Sequence, residues 1–457
     1  MDARGCRHGP GRITDTACGR AGALARTGAM IVSTLRSPES LQRLDRVMLV
    51  SLLLTPVLLM HTRALAEVSI ALIGLGFLGR SAVTRDWSWL RTGWLPFALA
   101  WWVWQVVCST PIPALHLGEG GVKSLTQALL TIRFIILIAA MEHCVLRADS
   151  ARRWLYGVMA ASAAYIAFQC LFQFTFGRNT YGWPRYPDGE LTGPFGRPRA
   201  GPPLARLLMP TLLPAVAALM ARPGVKGTLA GGGLLIGGMV VIVLIGQRMP
   251  LLVAFGSLLV AGVLMRRLRV PVLVAAVMTG LMLAASPVVA PDAYQRLVVK
   301  FGNQMANFAS AHYGQLYTRA WSVGVNNPVT GMGHDGFGTG CPMPENFRPS
   351  VDGKQPDGGG AIICWVHPHN IYLQALDDGG FIGLGLFSLM MGAWLMPLWR
   401  GVWSRPAPLR VGLFASLAVQ MWPVQAANGF TSIPMGGWFF LILGWGLAEA
   451  RAASRVA

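Results

Sequence analysis

Two histidines separated by one proline, His367 and His369, are the residues of this chain best suited to proton transfer. They lie in the string VHPHNIYLQALDDGGFIGL (366–384), where a polar segment meets an apolar one. Pro368 disfavours helix for the residue before it, so we expect extended chain at His367, with His369 and Asn370 at the cap and first turn of the next helix. A helix N-terminus favours the neutral imidazole, which can accept a proton. The string therefore suits a general base that acts on a hydroxyl.

Two other interpretations of the histidine pair are open. One is helix capping combined with packing at a membrane interface, and the other is a metal site. The metal site is disfavoured, because no third or fourth ligand stands at the usual spacing and the chain contains no Asp-x-Asp or Cys-x-x-Cys string. A metal that clamps an anionic group would also need several acidic ligands nearby. We therefore expect no metal and no other cofactor.

The elements that must position this string are predicted to be membrane-spanning helices. Hydrophobic residues make up 53% of the 457 positions and charged residues only 12%, about half the charged fraction of a soluble domain. This composition predicts an all-α polytopic membrane protein. Segments apolar enough to cross a hydrocarbon core of roughly 30 Å number about twelve, at 45–61, 64–83, 92–110, 124–146, 152–175, 203–222, 226–246, 249–265, 270–290, 369–398, 409–428 and 433–449.

The net charge of +19 has a topological explanation. Lys and Arg accumulate in cytoplasmic loops. When the twelve segments alternate, 24 of the 38 Lys and Arg residues lie on the side of the N-terminus and 13 on the other side. We therefore predict a bacterial inner-membrane protein with both termini cytoplasmic. Membrane lipid is the expected partner, and nucleic acid is not needed to explain the charge.

Four regions follow from this topology. Residues 1–44 are predicted to be a basic cytoplasmic tail without regular structure. Residues 45–290 hold helices one to nine, with a periplasmic loop at 176–202 that is rich in Pro, Gly and Arg. Residues 291–368 form one large periplasmic loop between helices nine and ten. Residues 369–457 hold helices ten to twelve and a short cytoplasmic tail.

The large loop combines helical and irregular sequence. Apolar residues recur at three- and four-residue spacing over 291–327, which predicts helix, whereas 331–346 and 348–363 are predicted to be irregular. Cys341 and Cys364 are the two cysteines expected outside a helix in the oxidising periplasmic compartment. They are therefore candidates for a disulfide.

The histidine string resembles the signature of the O-antigen ligase and polysaccharide polymerase superfamily. Its pattern is HxHNxYLxxxxxxGxxGL at the junction between loop and membrane. Three further strings resemble family elements in the same order, Thr-Gly-Pro-Phe at 192–195, Gly-Gln-Arg at 246–248, and Arg-Ala-Trp at 319–321 followed by Asn-Pro-Val-Thr-Gly-Met-Gly at 327–333. Two departures stand out. Arg-Pro-Arg at 197–199 replaces a frequent Pro-Asn pair, and Gly379 replaces an apolar residue.

The resemblance implies a GT-C-like membrane fold and a glycosyltransferase. Members of the superfamily move a glycan from undecaprenyl pyrophosphate to an acceptor hydroxyl on the periplasmic side. In a ligase the acceptor is the lipid A-core oligosaccharide and the product is lipopolysaccharide. Carried over residue by residue, the resemblance implies that His367 or His369 is the base, with supporting residues at Asn370, Tyr372, Asp378, Gly331 and Gly333.

Arginines are the expected ligands of the pyrophosphate, because a guanidinium group matches phosphate geometry with two hydrogen bonds. Arg248 and Arg319 lie at the predicted outer boundary of the membrane, and Arg185, Arg197 and Arg199 are further candidates. A charge at a helix end that snorkels to the interface is the alternative explanation for Arg248.

Arg133 stands in the middle of a predicted span. A charge at that depth costs about 2.5–3.5 kcal/mol on insertion scales. It either pairs with a buried carboxylate such as Glu67 or approaches the head of the lipid carrier, and the sequence leaves both open.

Two rival functions remain. A polysaccharide polymerase or a protein O-glycosylating ligase of the same superfamily would use similar chemistry on a different acceptor. A transporter or flippase for a lipid-linked sugar would use the arginines to bind phosphate but would not need the paired histidines.

Overall fold

The computed structural model describes residues 37–115, 117–347, 363–364, 367–400, 402–403, 406–423, 429–433 and 435–455. Within these ranges the chain is helical and forms no β-strand beyond two isolated bridges. The prediction of an all-α protein is therefore confirmed for these ranges. Most of the predicted basic tail (1–36) and most of the predicted irregular segment 348–363 lie outside them.

The main helices are α1 Pro38–His61, α2 Arg63–Thr84, α3 Leu95–Ser109, α4 Gly121–Leu130, α5 Ile132–Ala140, α6 Asp149–Phe176, α7 Gly201–Met220, α8 Val225–Ile245, α9 Arg248–Leu264, α10 Arg269–Val289, α11 His312–Asn326, α12 Ile371–Trp399, α13 Pro408–Gln420 and α14 Met435–Ser454. Shorter helical pieces lie at Ser88–Arg91, Pro113–Leu115, Met141–Val145, Arg266–Leu268, Pro291–Tyr294, Gln295–Val299, Lys300–Ala306, Gly336–Gly340 and Pro344–Asn346.

Eight of the described helical segments are long and apolar enough to cross a membrane. They are α1, α2, the α4–α5 segment, α6, α7, α8, α10 and α12, and the shorter α3 and α9 are also apolar. A helix overlies each of the twelve predicted spans. The count of twelve nevertheless stays a prediction, because α3, α9, α13 and α14 are not both long and apolar enough to be counted among these eight.

The first helix begins earlier than the hydropathy pattern indicates. The Ser37 hydroxyl caps α1 by accepting a hydrogen bond from the Ser40 amide at 3.2 Å, and Pro38 follows as the first helical residue. Both residue types favour a helix start. Residues 38–44, assigned above to the tail, are therefore the first turns of α1.

The predicted break between the seventh and eighth spans is confirmed. Gly246 ends α8 with a φ of 74°, and Gln247 is extended before α9 begins. A glycine readily adopts this left-handed conformation, so the chain reverses there without disturbing either helix.

The core lies between tightly packed helices, with α7 near its centre. This helix contacts α6, α8, α9 and α13, and most of its side chains are buried. Helix α14 is also enclosed, with Trp438 and Trp445 almost fully buried.

Helix α12 is broken at a pair of glycines. Gly379 has φ −141° and ψ 15°, and Gly380 has φ 64° and ψ −164°, so neither is helical. The break releases main-chain groups that need other partners. The segment 328–333 supplies them, because Met332 and Gly333 donate to the carbonyls of Asp377 and Asp378 at 2.8 and 3.1 Å. In return, the Phe381 amide donates to the Pro328 carbonyl at 2.8 Å.

Candidate active site around His367

The start of α12 is fixed by Asn370. Its Oδ1 accepts hydrogen bonds from the amides of Tyr372 and Leu373 at 2.9 and 3.1 Å, and its Nδ2 donates to the Pro423 carbonyl at 2.7 Å. Asn370 is thus the N-cap, and the helix begins at Ile371. His369 precedes the cap with a φ of 55°, so the expectation that it would join the cap and first turn was wrong. The asparagine is the better cap, and it displaces the histidine outward.

Tyr372 anchors the same helix end. Its hydroxyl donates to the Met421 carbonyl at 2.7 Å, which ties α12 to the end of α13. Neither Asn370 nor Tyr372 lines the cavity described next. Both therefore position the histidine string and leave the cavity surface to other residues.

His367 lines a cavity of about 370 Å³. The aromatic rings of Trp101, Phe387 and Phe430 form apolar parts of its wall. Its ionisable and amide side chains are Glu67, Gln127, Arg133, His334, Asp335, His367, Gln374 and Asp378. The sequence analysis named only Glu67, Arg133, His367 and Asp378 among them.

The two histidines of the string face different surroundings. Their ring centroids are 4.6 Å apart, but His369 does not line the cavity. Its ring lies 5.3 Å from that of Tyr313, nearly perpendicular to it. His367 is therefore the histidine placed to contact a molecule in the cavity.

Arg133 pairs with Glu67 and lines the cavity at the same time. Its Nε lies 3.0 Å from Oε2 of Glu67, and Nη2 donates to Oε1 at 3.2 Å. Nη1 donates to the Leu130 carbonyl at 2.7 Å, and 23% of the side chain remains exposed. The ion pair offsets the cost of the charge in the span. The remaining exposed surface leaves the guanidinium able to meet an anion in the cavity.

Asp378 is almost fully buried on another part of the cavity wall. Its Oδ1 accepts hydrogen bonds from the Gly336 amide at 2.8 Å and from Nε2 of Gln374 at 2.6 Å. The carboxyl group thus joins the histidine-bearing helix to the glycine-rich segment that follows α11.

That segment also brings His334 to the cavity, a residue that the sequence analysis missed. The His334 amide donates to the Ser109 hydroxyl at 2.8 Å, and its carbonyl accepts from the Ser124 hydroxyl at 2.7 Å. Burial and, to a smaller degree, the charge of Arg133 lower the pKa of His334 to about 4. The side chain is therefore neutral at physiological pH. A His-Asp pair set between glycines is the sequence signal that could have revealed it.

Gly331 and Gly333 allow the glycine-rich segment to lie directly against the main chain of neighbouring segments. Gly331 has a φ of 58°, and a Cβ atom there would lie 2.5 Å from the Asp377 carbonyl oxygen. Gly333 has a φ of 82°, and its Cβ would lie 2.9 Å from the Cys108 carbonyl oxygen. Glycine alone readily adopts these positive φ angles and has no Cβ atom to clash at these short distances. Both residues therefore support the site by allowing close contact between main chains.

Arg248 lies in the neighbourhood of His369 and not on the wall of the His367 cavity. Its Nε donates to the Arg296 carbonyl at 3.0 Å, and Nη1 donates to Oε1 of Gln304. Burial raises the pKa of Tyr313, and the charge of Arg248 is the strongest opposing influence. Because Tyr313 contacts His369, the arginine and the histidine pair belong to one neighbourhood. Arg248 does not line the 370 Å³ cavity itself.

Arg319 is not brought to the cavity. Its side chain is fully buried in the small core of the loop, with Leu316, Ala320 and Phe337. Nη1 donates to the Cys341 carbonyl, and the guanidinium lies 4.0 Å from the centre of the Phe347 ring. The guanidinium is buried and paired in this conformation, so the structure does not support a contact with pyrophosphate, and that role of Arg319 stays a prediction.

The disulfide clarifies what Arg319 does. Cys341 and Cys364 are bonded to each other, and Nη1 of Arg319 lies 3.8 and 3.7 Å from the two sulfurs. Cys364 stands three residues before His367. Arg319 and the disulfide therefore hold the loop from which the histidine string emerges.

We predict that Arg319→Gln destabilises the protein by about 1.5–3 kcal/mol, the usual loss for a charged hydrogen bond. Arg319→Lys should also destabilise it, because lysine lacks the planar fork and stacks less well on an aromatic ring. Thermal unfolding of the detergent-solubilised full chain measures this, with the exposed Arg269→Gln as control. An unchanged melting temperature combined with weaker binding of a lipid pyrophosphate would instead restore the phosphate-binding role.

The other predicted phosphate ligands do not line the His367 cavity either. Arg185 donates from Nη2 to the Phe174 carbonyl at 2.5 Å and stacks on that ring, so it caps the end of α6. Arg197 and Arg199 line a second cavity of about 280 Å³ that shares no lining residue with the first. Within the described ranges, no three His, Cys, Asp or Glu side chains are grouped closely enough to hold a metal ion.

The apolar helices indicate a multi-pass membrane protein, and its cavity is lined by ionisable side chains. Residues 233–388, about a third of the chain, match the family described as O-Antigen ligase. This match supports the O-antigen ligase superfamily for the chain, and the family suggests a glycosyltransferase-like enzyme. The matched segment contains Arg248, His334, His367 and Asp378. No curated protein matches the chain.

Proposed function

We propose that this protein is an O-antigen ligase that transfers a glycan from undecaprenyl pyrophosphate to the lipid A-core at the periplasmic face of the bacterial inner membrane. The observation that carries the proposal is the shared cavity of His367 and Arg133, which joins a proton acceptor to a partly exposed cation. The family match over the histidine-bearing segment supports the class of reaction.

The proposed reaction is a single displacement. An acceptor hydroxyl in the cavity attacks the anomeric carbon of the donor glycan while His367 takes its proton. A new C–O bond forms as the bond between that carbon and the pyrophosphate oxygen breaks, and the lipid pyrophosphate leaves with the electron pair. Attack from the side opposite the leaving group inverts the anomeric configuration, by analogy with inverting glycosidases.

The negative charge of the leaving group needs cations in a site shielded from water. Arg133 on the cavity wall and Arg248 beside the Tyr313–His369 contact are the side chains proposed to meet it. Asp378, held by Gly336 and Gln374, is proposed to orient the acceptor sugar. His369 is proposed to position Tyr313 and the His367 ring, since it lies outside the cavity.

Reconstitution of the purified full chain with undecaprenyl-pyrophosphate glycan and lipid A-core tests the proposal. We expect a lipid A-core product with the added mass of the glycan, at an equal rate with and without EDTA. Growth of the glycan on the carrier in the absence of lipid A-core would favour the polymerase. Translocation of the donor without a covalent product would favour the flippase, and loss of activity on chelation would contradict the arginine-based mechanism.

A further inference from the structure

A second cavity of about 280 Å³ lies where α1 meets α2, beneath the loop 176–202. Its wall includes the last turn of α1, the connecting Thr62, and the start of α2 at Arg63. The loop adds Trp183, Arg197 and Arg199. Three arginines therefore line a cavity that shares no residue with the His367 cavity.

This cavity is strongly positive and lacks counter-charge. No Asp or Glu is among its lining residues. In the part of the chain that the structure describes, no side chain of the three arginines forms an ion pair. Burial, followed by the charges of Arg63 and Arg197, lowers the pKa of Arg199. Repulsion between like charges in a partly desolvated cavity raises the free energy of the empty site. A bound anion would lower that free energy.

The cavity also lies at the depth where lipid headgroups reside. Helices α1 and α2 are both long and apolar enough to span a membrane, and a single residue, Thr62, separates them. Their joined ends therefore mark the boundary of the hydrocarbon region. Trp183 lines the cavity and the Tyr181 ring lies 6.2 Å from that of His61 at the end of α1. The two side chains are 45% and 51% exposed, as is typical of aromatic residues at membrane interfaces. Leu59, Met60 and Phe195 give the cavity an apolar floor.

We propose that Arg63, Arg197 and Arg199 bind the phosphate group of a membrane lipid, at a site separate from the cavity of His367. Guanidinium groups hold phosphate oxygens through paired, charge-assisted hydrogen bonds. The apolar floor and the aromatic rim suit the acyl region next to the headgroup. The proposal does not depend on the reaction proposed above, because it concerns binding alone.

Lipid binding to the detergent-solubilised full chain, measured by native mass spectrometry, tests this site. Phosphatidic acid and diacylglycerol with the same acyl chains differ only by the phosphate. We expect phosphatidic acid to be retained and diacylglycerol to be lost. The variant R63Q/R197Q/R199Q should raise the Kd for phosphatidic acid. We expect about a tenfold increase or more for each arginine that makes charged hydrogen bonds to the phosphate. The control R266Q/R267Q/R269Q removes three exposed arginines from a different connection and should bind like the wild type.

Folding and the source of the phosphate are checked separately. The variant R63K/R197K/R199K keeps the charge and should bind with intermediate affinity. The melting temperatures of all variants should be no lower than that of the wild type, because R63Q/R197Q/R199Q removes only repulsion between like charges in the empty site. Excess inorganic pyrophosphate should not displace phosphatidic acid. Equal retention of phosphatidic acid and diacylglycerol, equal weakening in the control triple variant, or full displacement by pyrophosphate would each overturn the proposal.

Discussion

Replacement of His367 by alanine should reduce glycan transfer to lipid A-core by about 10²–10⁴-fold, the usual contribution of a positioned general base. The side chain lies on the wall of the 370 Å³ cavity and is held from two directions. Pro368 and the Asn370 cap fix it from the C-terminal side. The Cys341–Cys364 disulfide closes the loop on the N-terminal side. Removing the imidazole takes away the proposed proton acceptor and leaves those supports in place, so the melting temperature should stay close to that of the wild type.

His369→Ala and His312→Ala are the matched comparisons. His369 lies 4.6 Å from the His367 ring but outside the cavity, so its loss should reduce transfer less and should raise KM for the donor more than it lowers kcat. His312 is exposed in the same loop and lines neither cavity, so its loss should leave transfer unchanged. The role proposed for His367 fails if its alanine variant keeps at least half of the wild-type rate. It also fails if His369→Ala is the more severe change.

Gly380→Ala should lower the free energy of unfolding by about 2 kcal/mol or more, and glycan transfer should be lost with it. Gly380 combines φ 64° with ψ −164°, a region that only glycine occupies readily. A Cβ there would lie 2.5 Å from the Pro328 carbonyl oxygen and from main-chain atoms of Val329. Those atoms belong to the backbone, so they cannot rotate away, and the segment that carries His334 must shift.

Gly385→Ala provides the control, because it lies on the same helix and an added Cβ would meet nothing within 4 Å. Alanine should be tolerated there or should slightly stabilise the helix. Thermal unfolding and the transfer assay, run on both variants, separate the two positions. Equal melting temperatures for Gly380→Ala and Gly385→Ala would show that the glycine break is not required.

Short strings in the sequence predict where the site lies, whereas the surroundings of several arginines depend on the fold. In the structure the histidine string lies directly before α12, and Gly331 lies against the main chain of that helix. Arg319, however, carries the same charge and stands in the same kind of motif whether it binds a phosphate or stacks on Phe347. Sequence spacing cannot separate these roles, because burial depends on contacts between segments distant in the chain.

The sequence by itself determined the membrane class and the helical break at Gly246, and it predicted the candidate base. Local chemistry is responsible: hydropathy sets the spans, and glycine and proline set where helices stop. Tertiary structure alone decided which groups share one cavity. Arg133 and Glu67 come from the first part of the chain, His334 from the loop and Asp378 from a late helix. The break at Gly379–Gly380 draws the last two together, because its released main-chain groups must find partners across a distance of some fifty residues. That requirement is physical but non-local, so only the folded chain reveals it.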